Sequence, residues 1–315
     1  MKNQKDYIKY KIENILDLEE ITHTFELNRD ELRLFHNSHC EIHQLLPEFL
    51  PKYVDYIYLP IENWKKWNSK QLINSTLILP HLKSTKHYGI VLQYSPQNLS
   101  VHYEIEINRN QLFIEITKKE TFINHQKVDL IVEQMIEKAS EVIFPLQIKI
   151  NDNGSLNENE IVNDKEIKKR WQDDTLPSLQ SYYKAEIATD ILSKLDRVFT
   201  HLNFKKDLFF KNHFFQLYFA PIYQIYPNFE HTSKFQIYFS SLRKFKNYMV
   251  KYELQKEYSS TNKIVLNVKA PDENDFNLTY KFDKETHELF SAIGNFSVKE
   301  NNILYTIHFE MYELI

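Results

Sequence analysis

Hydrophobic positions change their spacing several times along the chain, and each change marks an element. Tyr10 and Ile12 alternate as in a strand, whereas Leu18, Ile21 and Phe25, then Leu32 and Phe35, recur every three or four residues as on short helices. Residues 56–59, Tyr-Ile-Tyr-Leu, alternate again and stop at Pro60, which has no N–H to give a ladder. Asn28 precedes Arg29, Asp30 and Glu31 and is placed to cap the second helix with its side-chain oxygen. The first sixty residues therefore predict the order βααβ.

After a connector expected over 64–72, strands are predicted over 89–94, 100–108 and 111–117 as an antiparallel meander. An amphipathic helix is predicted over 128–143, with Ile131, Met135, Ile136, Ala139 and Val142 on one side, ending before Pro145. Residues 145–150 and 156–162 flank Asp152-Asn153-Gly154, a hairpin signal because Asn-Gly takes positive φ at low cost. Asn163 or Asp164 is expected to cap a helix carrying Ile167 and Trp171. Past Pro177 a helix is expected over 179–202, with Ile187, Ile191, Leu192, Leu195 and Phe199 at helical spacing. Strands over 214–220, 235–240, 248–257, 263–268, 276–282, 289–298 and 303–310 then predict a second antiparallel sheet. The fold class is α+β: a small βααβ module, 1–62, followed by a larger body of antiparallel sheets packed on central helices, divided as 63–178 and 179–315.

Composition narrows the function classes. The 22 Phe and 20 Tyr among 315 residues supply ample core. A formal net charge of -4, with both signs mixed, leaves no basic block for a row of phosphates, so nucleic acid is not an expected partner. The three glycines, Gly89, Gly154 and Gly294, are far apart, which excludes Walker A and dinucleotide fingerprints. No GxSxG, HExxH or paired catalytic carboxylates are present, so neither an enzyme nor a cofactor is expected. Asp164 with Glu166, and Asp272 with Glu273 and Asp275, lie in turn-like contexts and read as solvated caps. The longest uncharged stretch, 213–229, falls short of the roughly 20 apolar residues that span a bilayer. Its aromatics, with Phe209 and Phe210 before them, are read first as core and second as the lining of an apolar pocket or an exposed docking face. Lysines near the start give way to Ile12-Glu13-Asn14 without an apolar run, and Cys40 stands alone, so a cytoplasmic location is expected.

Residues 10–37 resemble the LysM family without gaps. Tyr10, Ile12, Leu18, Ile21, Phe25, Leu27, Leu32 and Asn37 stand where that family has Tyr, Val, Leu, Ile, an aromatic, an aliphatic, Leu and Asn, and Ile57, Leu59 and Pro60 match its closing strand. The sequence departs at Ile15-Leu16-Asp17 in place of a Gly-Asp-Thr turn, at the closing glycine missing near Tyr53-Val54, and in a longer second loop over 38–50. The resemblance implies a groove between the two loops, made here by Asn14, Ile15, Leu16, Asp17, Asn37 and Ser38, where the family holds N-acetylglucosamine polymers. With one loop lacking its glycine and the other lengthened, docking of a protein partner is expected first, as in LysM-like modules of contractile injection machines. Peptidoglycan binding is the alternative, and carriage of an apolar ligand in the body a third.

The second loop also holds His36, His39, Cys40 and His43, ligand types suited to zinc that would share one face of a continuous helix. A polar helix end is the reading favoured over a metal site, because no CxxC or HExxH spacing accompanies them.

Overall fold

In the computed structural model, which describes residues 6–12, 17–110, 113–127, 131–201, 207–271 and 275–314, the first helix starts where Asp17 Oδ1 accepts the Glu20 N–H at 2.9 Å. This helix, α1 (Leu18–Phe25), buries Leu18, Ile21 and Phe25, the predicted stripe, and ends at Glu26 in the left-handed region, φ 52°. The next, α2 (Arg29–Asn37), opens on a capping box: Asn28 Oδ1 accepts the Glu31 N–H at 2.7 Å and the Glu31 carboxylate accepts the Asn28 N–H at 3.2 Å. Strands β1 (Tyr7–Lys11) and β2 (Tyr56–Pro60) pair antiparallel, Tyr10 opposite Ile57.

Residues 64–72 are not the expected connector. Pro60 ends β2 and serves as the N-cap of α3 (Ile61–Asn68), so strand passes into helix with no loop between them. Trp64 and Trp67 of α3 pack on the core of Leu18, Ile21, Phe25, Leu32, Leu46, Val54, Ile57 and Leu59, with the Trp67 ring 5.2 Å from Phe25 and 5.8 Å from Tyr10. The compact unit accordingly runs over 1–73, past the expected boundary at 62.

The second unit, 74–315, contains one antiparallel sheet where two were expected. Its first half is β3 (Ser84–Ser95), β4 (Leu99–Arg109), β5 (Ile114–Ile123) and the short β6 (Gln126–Lys127), then α4 (Ile131–Glu141) and the hairpin β7 (Leu146–Ile150) and β8 (Leu156–Ile161). Helices α5 (Asp164–Arg170), α6 (Leu176–Tyr182), α7 (Glu186–Thr200), α8 (Asp207–Phe210) and α9 (His213–Tyr218) follow, with a π-helical turn at Trp171–Thr175 between α5 and α6. The second half is β9 (Glu230–Phe239), β10 (Lys244–Leu254), β11 (Lys263–Lys269), β12 (Phe276–Asp283), β13 (Leu289–Glu300) and β14 (Ile303–Glu313).

Strand order is β8-β7-β5-β4-β3-β14-β13-β12-β11-β10-β9, with β6 beside β5. The halves join because β14 lies antiparallel to β3, Ile307 opposite Tyr94 and Phe309 opposite Leu92. Tyr88, Ile90 and Leu92 of β3 and Ile307, Phe309 and Met311 of β14 are all buried. Period-2 alternation marks such strands but does not name a partner some two hundred residues away. The expected boundary at 178/179 therefore falls inside one unit whose sheet draws on both sides of it.

Of residues 214–220, predicted as a strand, 214–218 belong to α9, whose Phe214, Phe215, Leu217 and Tyr218 are buried, and Phe219 and Ala220 follow it in a turn. Six residues with Gln216 alone left unburied are too short a stretch to show a helical stripe. Asn212 caps it, its Oδ1 accepting the Phe214 N–H at 2.9 Å. The helix and the residues after it fill the space against the sheet: Tyr280 donates its hydroxyl to Leu217 O at 2.9 Å, and the Tyr223 ring lies 5.9 Å from Phe282. The helix expected over 179–202 is two, α6 and α7. Trp171 stacks on Phe199 at 4.3 Å and donates its indole N–H to Asp196 at 2.9 Å. On α4 only Met135 and Ala139 are buried; Ile131 and Ile136, expected on the same side, are exposed. Among the described residues no helix is long and apolar enough to cross a membrane.

Candidate functional site

Three of the loop residues assigned to a sugar groove, Asn14, Ile15 and Leu16, lie outside the described residues. The other three have structural partners. Asp17 caps α1, as above. Asn37 holds the second loop with both ends of its amide, Oδ1 accepting the Leu46 N–H at 2.7 Å and Nδ2 donating to Leu46 O at 3.1 Å. Ser38 donates to Phe35 O at 2.7 Å.

His36, His39, Cys40 and His43 do not share a helical face, because α2 ends at Asn37 and the chain turns away. His36 is fully buried. The Gln44 carbonyl only accepts, so Nε2 carries the proton and donates to it at 2.8 Å, while Nδ1 accepts the Tyr58 N–H at 3.1 Å. Neither ring nitrogen has a lone pair left for a metal, and burial holds the imidazole below its usual pKa. His39 bonds Phe35 O through Nδ1 at 2.7 Å, and His43 sits on a separate 3₁₀ turn, 3.4 Å from Glu41. The Cys40 thiol is pushed up by burial, which disfavours the thiolate that nucleophilic chemistry needs. Among the described residues no three His, Cys, Asp or Glu side chains gather where they could hold a metal ion. Asp275, from the other acidic group considered, pairs with Lys246 at 3.1 Å; Asp272 and Glu273 lie outside the described residues.

The module instead presents a groove of about 630 Å³ between α1, α2 and α3, walled by Leu27, Leu34, Phe35 and Pro60 and edged by Glu26, Glu31, Ser38 and Asn63. Leu34 is 73% exposed. One wall is fixed by Asn63, which donates to Phe25 O at 3.0 Å. Glu26 is held by Lys66 and Lys70, and their hydrogen bonds and charges take its pKa down to about 2. Leu34 escaped the sequence reading because it lies off the apolar stripe of α2, where a single leucine gives no periodic signal.

In the body a cleft of about 850 Å³ opens between the β9 edge, α9 and the β7–β8 hairpin. Phe210, Phe215, Phe219, Phe235 and Phe245 supply apolar wall; Asn151, Ser155, Gln216, Gln236 and Asn247 supply amides and a hydroxyl; among the described residues Lys234 is the one charged side chain. Of the aromatic run Phe210 reaches the surface, while Phe214, Phe215, Tyr218, Phe219, Tyr223 and Tyr226 are buried, Phe215 and Phe219 at the floor of the cleft. Beneath the cleft His213 donates from Nε2 to Tyr238 O at 2.9 Å and lies 3.2 Å from the Tyr94 hydroxyl through Nδ1. Burial takes its pKa down to about 4. Deeper charges are balanced internally. Burial disfavours the Arg109 charge, and Tyr218, Tyr223 and Glu288 outweigh it, while Lys86 pairs with Glu313 at 2.6 Å and Glu288 at 3.6 Å. Set against family models, curated proteins and solved structures, the chain gives no match.

Proposed function

We propose that the chain is a non-catalytic, cytoplasmic binding protein that serves assembly, and that its LysM-like module docks a protein partner through the groove beneath Leu34. The exposure of Leu34 carries this reading. A leucine held out of the core over a groove already walled by Leu27, Phe35 and Pro60 contributes roughly 1.5–3 kcal/mol when a partner removes it fully from water. Carboxylates and amides at the edge give the polar rim that protein interfaces have. A protein is favoured over N-acetylglucosamine polymers because Asn37, at the sugar position the family would use, has both ends of its amide engaged by Leu46. By analogy with LysM-like modules of contractile injection machines, the partner belongs to such an apparatus.

The test is purification of the tagged chain from its native cell beside a Leu34→Asp variant. The wild type is expected to retain a stoichiometric partner that the variant loses at unchanged Tm. Retention by both, or recovery of muropeptides alone, contradicts the reading.

A further inference from the structure

The cleft of the body lies on an unfinished sheet edge. Among the described residues β9 pairs with β10 alone, and its opposite side is the end of the sheet. In an antiparallel pair alternate residues turn both N–H and C=O away from the partner. Tyr238 is one of these, since its C=O accepts from His213 and its N–H donates to Gln216 Oε1. By alternation Thr232, Lys234 and Gln236 also face outward.

The Gln216 amide sits against this edge as a peptide group of an added strand would, accepting from Tyr238 N–H and donating to Gln236 O, both at 3.5 Å. Those distances are at the far limit of a hydrogen bond. Among the described residues, nothing bonds the outward groups of Thr232 and Lys234 or the N–H of Gln236. An edge of this kind is a template for another chain unless it is covered.

We infer that this edge accepts an extended segment of a protein partner by strand addition, with the segment's alternate side chains seated on Phe210, Phe215, Phe219 and Phe245. Main-chain bonds to Lys234 and Gln236 supply affinity, and the apolar wall selects the residues that point inward. The cleft's single charge specifies the rest. Among the described residues Lys234 is exposed, has no ion pair and shares the cleft with no acid, so the segment carries an Asp or Glu beside its apolar residues. This rests on the reading of the chain as a binding protein, but not on the module or on Leu34.

A random-peptide display library selected on the full chain tests it. The peptides recovered are expected to alternate apolar residues, to include an acid, and to slow amide exchange over 230–239. Lys234→Glu is expected to weaken them roughly tenfold or more, since a charge-assisted contact is lost. Lys234→Pro removes an outward N–H without touching the β9–β10 ladder, as proline is tolerated on an edge, and is expected to weaken them as well. Leu34→Asp is expected to bind the same peptides as wild type, so failure of the module reading and failure of this one are distinguishable. No binder, binders indifferent to both Lys234 variants, a dimer that Lys234→Pro dissociates, or an apolar small molecule extracted from the purified chain would each overturn the inference.

Discussion

His213 ties stability to pH. Its Nε2–H donates to a carbonyl and its Nδ1 faces a hydroxyl, so the folded chain holds it neutral, with a pKa of about 4. A histidine in the unfolded chain titrates near about 6.5. As pH falls below that value the unfolded state takes the proton first; stability is fully present above about 6.5 and is lost progressively toward about 4, on the order of 3 kcal/mol in all. His36, in the other unit, shifts in the same direction, also through burial. The expected result is a Tm that falls between pH 7 and pH 4.5, with a shallower fall for His213→Gln. Asn37 makes a second prediction at this scale. Asn37→Ala leaves the Leu46 N–H and C=O without partners, and is expected to destabilise the module by about 1–3 kcal/mol in chemical denaturation. For His213 and His36 the sequence showed the residues but not their partners, because a buried histidine and a surface histidine look alike until the fold brings Tyr238 or Tyr58 against them.

At the scale of elements, what the sequence made legible was local. Asn28 announces an N-cap, and the cap is present, with Glu31 completing it as a capping box; Asn28→Ala is expected to cost about 1 kcal/mol, read as a lower midpoint in urea. Asn153-Gly154 announces the β7–β8 hairpin, but only Gly154 takes positive φ, at 85°. A Cβ there would also come within 2.6 Å of the Tyr223 ring, so Gly154→Ala is expected to destabilise by about 1–3 kcal/mol and to show a lowered Tm. Asn163, a predicted cap, holds no helix amide; its side chain bonds the Gln147 N–H at 3.0 Å and Pro145 O at 2.7 Å, tying β7 to the start of α5. Two helices left no periodic signal: α9 is six residues long and buries all but Gln216, and α3 follows Pro60 too closely to look like a new element.

For the whole molecule, the alternating strands were legible and their arrangement was not. Each of the strands predicted over 235–240 to 303–310 forms within a residue or a few of its expected place, yet the join of β3 to β14 depends on a pairing that no local pattern encodes. The same limit hid both candidate surfaces. Leu34 becomes a groove wall only when α1, α2 and α3 close around it, and Lys234 becomes part of a cleft only when the β9 edge, α9 and the β7–β8 hairpin come together. Protein docking by the module is tested by titration calorimetry with the captured partner and with an N-acetylglucosamine oligomer. The partner is expected to bind, Leu34→Asp to weaken it roughly tenfold or more, and the sugar to give no saturable heat; saturable sugar binding together with a partner affinity unchanged by Leu34→Asp would instead make the module a glycan receptor.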